Sequence, residues 1–122
     1  MAQHNALGKV GEEKARTYLE SKGYKIVEKN QRTKRGETDL IATKGRCLIF
    51  VEVRAKGTEE FGIPEDTIDW RKKKKLLWNA KAYVFYTGYK GPYRIDAICI
   101  VFDDFGGVQR LTHYESIVEI PM

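Results

Sequence analysis

Two carboxylates stand where a carboxylate is costly. Glu52 lies in the middle of LIFVEVRA, and Asp39 opens the apolar part of GETDLIA just after a glycine turn. An acid within an apolar strand has to be paired, hydrogen-bonded or metal-bound, because its desolvation is otherwise uncompensated. Lys44-Gly45 between the two segments reads as a tight hairpin turn, which places residue 39 opposite a residue near 50. The carboxylates then converge on one end of a sheet. Strand alternation sets Glu52, Arg54 and Lys56 on one side, and Val51, Val53 and Ala55 on the other. Two acids followed by a cation two residues on is the arrangement needed for metal-assisted phosphodiester hydrolysis. The acids hold Mg2+ or Mn2+, and the cation orients the nucleophile or stabilises transition-state charge. The same spacing also fits a surface hairpin with an ion pair on its exposed face.

A third acid can come from the first predicted helix. Glu12 borders the inward stripe with Ala15 and Leu19, whereas Glu13 shares a face with Thr17 and Glu20. Zinc chemistry has no support, since Cys47, Cys99, His4 and His113 match none of the usual spacings. Any metal would be held by carboxylate oxygens, which selects a hard cation. Both cysteines fall in alternating apolar segments and read as buried free thiols rather than a disulfide.

The elements that must position these residues form one domain over residues 1–122, with no repeat or linker dividing it. A helix is expected from about Ala6 to Lys22, capped by Asn5, stopped by Gly23, with Gly11, Ala15, Tyr18 and Leu19 inward. Strands follow at Tyr24–Asn30, Thr38–Thr43 and Arg46–Ala55, then a loop containing Gly57, Gly62 and Pro64. A second helix is expected from Pro64 to Tyr86, ended by Gly88. Strands at Arg94–Phe102 and Val108–Thr112 complete an α-β-β-β-α-β-β order. This is a mixed α/β fold in which the second helix can cross over between parallel strands.

Charge points to an anionic partner. With 22 Lys and Arg against 17 Asp and Glu, the net charge is +5, and nucleic acid is the first candidate. The cations gather at Arg32, Lys34 and Arg35, expected on a loop, and in the unbroken run Arg71, Lys72, Lys73, Lys74, Lys75. That run can track phosphates or simply be a solvated helix face. Trp70, Trp78, Phe85, Tyr86, Tyr89 and Tyr93 are interleaved around it. Core packing with a dimer interface is the favoured reading for them, and stacking on unpaired bases the other. The longest apolar run, Cys47 to Val51, is too short to span a membrane. The polar N-terminus does not resemble a secretory signal, so a cytoplasmic location is expected.

The stretches GKVGEEKARTYL, GETDLIA, LIFVEVRAK, KLLWNAKAY and YRIDAICI together resemble the YraN-like family of small bacterial proteins. The resemblance covers roughly residues 8 to 115 and implies the restriction-endonuclease-like (PD-(D/E)xK) core, a mixed β-sheet flanked by helices, similar to Holliday-junction resolvases. It further implies that Asp39, Glu52 and the carbonyl of Val53 are metal ligands and Glu12 a third acid. Arg54 stands where the nuclease signature has lysine, and Lys72 becomes an added cation that periodicity alone does not single out. Branched or structured DNA would be the partner and a homodimer the working unit. Two departures stand out. Arginine cannot act as a base, with Lys56 as a substitute about 7 Å further along the strand. Thr38 occupies a position where an apolar residue is expected, and is read as facing away from the site. A non-catalytic nucleic-acid-binding module with a degenerate site is the alternative.

Overall fold

The computed structural model describes residues 2–60 and 62–121, with side chains from residue 7 onward. Its elements are α1 (Ala2–Ser21), β1 (Lys25–Thr33), β2 (Gly36–Lys44), β3 (Cys47–Lys56), a 3-10 turn (Pro64–Thr67), α2 (Trp70–Thr87), β4 (Tyr93–Phe102) and β5 (Val108–Tyr114). The five strands form one mixed sheet in the order β1-β2-β3-β4-β5. Neighbours pair antiparallel except β3 and β4, which run parallel. α2 makes the crossover that a parallel pair requires.

The alternation of β3 explains the layering. Ile49 and Val51 join Ala15 and Leu19 of α1, with Leu40, Ile98 and Ile100, in one apolar cluster. Leu48 and Phe50 join Leu76 and Ala80 of α2, with Ile41 and Ile95, in the other. The sheet is therefore covered by α1 on one face and α2 on the opposite one, as period-2 strands with apolar residues at both parities demand. No described helix is long and apolar enough to cross a membrane.

The expected inward stripe of α1 is borne out, with Gly11, Ala15 and Leu19 buried. Gly11 has a specific reason to be glycine: a Cβ there would lie 2.9 Å from the Cβ of Ala55. The bare backbone lets α1 settle directly on the end of β3. The helix starts earlier than expected, at Ala2, so Asn5 lies inside it rather than at its cap; the Asn5 side chain is outside the described residues.

The expected helix from Pro64 divides. Pro64 starts only a 3-10 turn, and Asp69 then caps α2 afresh, its carboxylate accepting from the Lys72 N–H at 2.9 Å. A proline is tolerated in a first turn of either helix type, so it could not say which would follow. Gly88 does end α2, in the left-handed region at φ 71°. The first hairpin also differs from expectation. β1 continues through Arg32 to Thr33 and the turn is confined to Lys34 and Arg35, so Arg32 is on a strand. In the second hairpin the turn residues are Gly45 and Arg46, one position later than expected.

Candidate functional site

β2 and β3 pair from Lys44–Cys47 up to Leu40–Val51. Continuing that register by one step sets Asp39 opposite Glu52 itself, closer than the expected partner near 50. The paired ladder stops there, and the Asp39 carboxylate accepts the N–H of Val53 at 2.8 Å. The edge between the strands opens into a cleft of about 170 Å³.

Glu52 is only 3% exposed. Its Oε2 is 2.7 Å from Arg54 Nη2 and 3.3 Å from Lys72 Nζ, so one strand and one helix both bring a cation to it. Asp39 has no such direct ion pair among the described residues. Burial, then the nearby charge of Glu52, pushes its carboxyl up to about 7, against the opposing pull of the Val53 N–H and Lys72. The Nε of Arg54 is buried with no hydrogen-bond partner, leaving an unused donor beside the two acids.

α1 supplies Glu12, whose Oε1 accepts from Asn30 Nδ2 at 3.1 Å. Its carboxyl is raised by burial, helped by the charges of Asp39 and Glu37, with Asn30 opposing. Glu37 also lines the cleft and pairs with Arg32 at 3.4 Å. Sequence reasoning missed it, although the acid in GETD sits two residues before Asp39 on the same strand. The cleft thus gathers Glu12, Glu37, Asp39 and Glu52 around Arg54 and Lys72, two more carboxylates than cations.

Lys56 is not among the residues lining the cleft. It keeps the parity of Glu52 and Arg54, but its ammonium lies toward Gly62, 3.6 Å from where a Cβ on that glycine would stand. The rise of the strand has carried it past the site. Lys73 turns instead to a separate hollow beside Glu65, Cys99 and Tyr114. Arg71, Lys74 and Lys75 are exposed on the outer side of α2, and Lys34 and Arg35 are exposed at the hairpin turn.

Thr38 does not face idly away. It is buried and accepts a hydrogen bond from Asn79 Nδ2 of α2 at 2.7 Å, while Asn79 also bonds Thr33 and Gln31. The hydroxyl satisfies a buried amide, which an apolar residue would leave stranded. This network pins the first hairpin to α2 and so holds the Asp39 segment against the helix that delivers Lys72.

A hard cation matches the chemistry of the donors, which are all oxygens with two adjacent carboxylates at the centre. Among the described residues, however, no group of three or more His, Cys, Asp or Glu side chains stands close enough to hold a metal as placed. Asp39 and Glu52 fit as a two-carboxylate anchor, and further ligands would have to come from backbone or water. Both cysteines are free: Cys99 is buried as expected, while Cys47 is only half-buried.

Comparison with known proteins agrees with this reading of the chain's kinship. The model of the "Uncharacterised protein family UPF0102" matches residues 11–100. The chain belongs to UPF0102. A UPF0102 protein of Pelotomaculum thermopropionicum is 43% identical over 111 residues, covering 90% of this chain and 92% of the relative. Those of Cytophaga hutchinsonii and Desulforamulus reducens are 37% and 38% identical, covering 84% and 93% of this chain and 90% and 96% of the relatives. The YraN-like resemblance is this same UPF0102 kinship. The UPF0102 segment spans every residue of the cleft apart from Gly8, from Glu12 to Lys72.

Proposed function

We propose that this protein is a metal-dependent phosphodiesterase of the restriction-endonuclease-like (PD-(D/E)xK) type, acting on DNA, with branched or structured DNA as substrate. The observation that carries the proposal is the cleft itself: two adjacent, largely buried carboxylates, two more acids at its wall, and cations from β3 and α2. A mixed sheet with three antiparallel strands, a crossover helix and a parallel fourth strand is consistent with that core.

Asp39 and Glu52, with the Val53 carbonyl, would hold Mg2+ or Mn2+. A divalent ion so placed acidifies a bound water and neutralises charge on a phosphate. Glu12 adds a third carboxylate at the wall, where it can accept a proton or orient water. Arg54 and Lys72 contact Glu52 and carry positive charge to the place where phosphate oxygens would lie. Arg54, always protonated, stabilises charge and does not serve as base. Cutting both strands of a junction calls for two such clefts, so a homodimer belongs to the proposal. A cytoplasmic setting does too, since free thiols and DNA coexist there.

One observation favours a second reading. Glu52 is already paired with both cations, and among the described residues no three of the cleft's acids stand close enough together to hold a metal as placed. A module that binds nucleic acid and no longer cuts would look like this. The deciding experiment incubates the protein with four-way junction, duplex and single-stranded DNA in Mg2+ or Mn2+. Product that disappears with EDTA and with Asp39→Ala establishes the nuclease. No metal-dependent product on any substrate, with binding that survives EDTA, establishes the binding module and overturns the nuclease.

A further inference from the structure

α2 has an inward face and an outward face of different chemistry. Inward, Leu76 and Ala80 pack on the sheet. Outward, aromatic rings stand in water: Trp70 is 68% exposed, Trp78 44% and Phe85 79%. Core packing with a dimer interface is the reading the sequence favours for these rings; the packing holds for Tyr89 and Tyr93, and this row is left exposed. Trp70, Lys74 and Trp78 fall at successive i+4 positions and share one ridge, which Lys81 and Phe85 extend to a length of about 22 Å.

Cations lie against the rings. Lys74 Nζ is 4.9 Å from the centroid of Trp78, and the Arg71 guanidinium is 5.5 Å from that of Trp70. Beyond Trp78 the ridge opens into a shallow hollow of about 570 Å³, where Arg35 of the first hairpin faces Lys81, Phe85 and Tyr86. From Trp70 to Thr87 the helix carries no acid. A second copy of the chain docked here about a two-fold axis would set lysines against lysines, which works against self-association. Flat apolar rings alternating with positive charge suit a polyanion that carries planar groups. The ridge also begins at the turn whose Lys72 reaches into the cleft, so a strand leaving the cleft can continue along it.

We propose that the outer face of α2 is a stacking platform for the unpaired bases of single-stranded nucleic acid, with Lys74, Lys81 and Arg35 holding its phosphates. The platform needs neither metal nor cleavage, and it shares with the proposed function only the nature of the partner. Base-on-ring stacking tolerates any sequence, because every base has a flat face.

The chain has two tryptophans, and both stand on this ridge, so intrinsic fluorescence reads it directly. The protein is titrated in EDTA with oligothymidylate, with an abasic phosphodiester strand of equal length, with duplex DNA and with anionic lipid vesicles. Saturable quenching by oligothymidylate is expected, with weaker binding and no quenching by the abasic strand. Trp78→Ala should weaken oligothymidylate binding by about five- to a hundredfold. Lys81→Gln, on an exposed position, should keep the quenching at saturation and flatten the dependence of log affinity on log salt by about 0.7. The titration is run in EDTA, which removes any metal from the cleft, so failure of the cleft chemistry and failure of the platform give different results. Equal affinity for oligothymidylate and the abasic strand would overturn the platform. So would a tryptophan response confined to vesicles, or one that follows protein concentration without nucleic acid.

Discussion

Replacing Asp39 with asparagine should stabilise the metal-free protein at pH 8, even though it alters the centre of the cleft. The Asp39 carboxyl is moved from its ordinary 3.8 up to about 7, by burial first and the charge of Glu52 second. A carboxyl whose folded value exceeds its unfolded one binds more protons in the folded state across that interval. Stability therefore falls as pH rises from about 4 to about 7, and the deficit is complete above it. Carried through in full, the displacement corresponds to an upper limit on the order of 4 kcal/mol. The substitution recovers less, because the new amide must find an acceptor for its N–H groups in a desolvated site. The Val53 N–H keeps its partner in the amide oxygen. A net gain of about 1–2 kcal/mol is expected, or roughly 3–8 °C in Tm for a chain of this length. Thermal unfolding in EDTA at pH 4, 6 and 8 checks it: the variant should gain on the parent steadily with pH, from no more stable than the parent at pH 4 to its full advantage at pH 8. Adding Mn2+ should then raise the Tm of the parent by mass action and leave that of the variant almost still. A variant less stable than the parent at pH 8, or a gain equally large at pH 4, would refute the reasoning that the two acids repel in a desolvated site.

Two further substitutions test how the site is held. Gly11→Ala forces a Cβ to within 2.9 Å of Ala55, and should cost about 1–3 kcal/mol in urea unfolding as α1 lifts from β3. It should also weaken any Mn2+-induced rise in Tm, since Glu12 moves with the helix. Asp96→Ala strips the buried partner from Arg94 and His113 and should cost about 3–5 kcal/mol, read by urea unfolding at pH 7. An equal Mn2+ response in the folded fraction would confirm that this acid lies outside the cleft.

The helix-strand order was readable because apolar periodicity is strong in every element that reached the core. Parity in β3 was equally readable: Ile49, Val51 and Val53 pack under α1, and Glu52 turns to α2. What local pattern could not supply was tertiary. Periodicity sets Lys73 nearer the middle of the apolar face than Lys72, yet Lys72 is the one that reaches Glu52, while Lys73 turns to the hollow beside Glu65. Thr38 looked misplaced because its partner, Asn79, is 41 residues away in the chain. Lys56 was assigned by parity despite lying about 7 Å further along the strand, and that distance takes it out of the cleft lining.

Asp96 shows why an acid inside an apolar strand is an incomplete signal. It is as buried as Glu52 and sits in a run, YRIDAICI, as apolar as LIFVEVRA. Its oxygens lie 2.8 Å from His113 Nε2, 3.0 Å from Arg94 Nε and 3.0 Å from the Ser116 N–H. Burial alone would raise this carboxyl, but those partners together hold it below the usual carboxylate range. Tyr18 of α1 in turn meets His113 Nδ1 at 3.1 Å, so the cluster ties α1 and the segment after β5 to the sheet. Every lone pair there has a fixed claimant. Glu52 differs in the kind of partner: Arg54 and Lys72 keep about a third of their side-chain surface in solvent, and both extend from the rim of an open cleft. Cations so placed can release the carboxylate to a metal and turn to a phosphate, an exchange the closed shell around Asp96 does not permit. The separation of a binding acid from a structural one thus depends on who neutralises it and whether that partner has somewhere else to go.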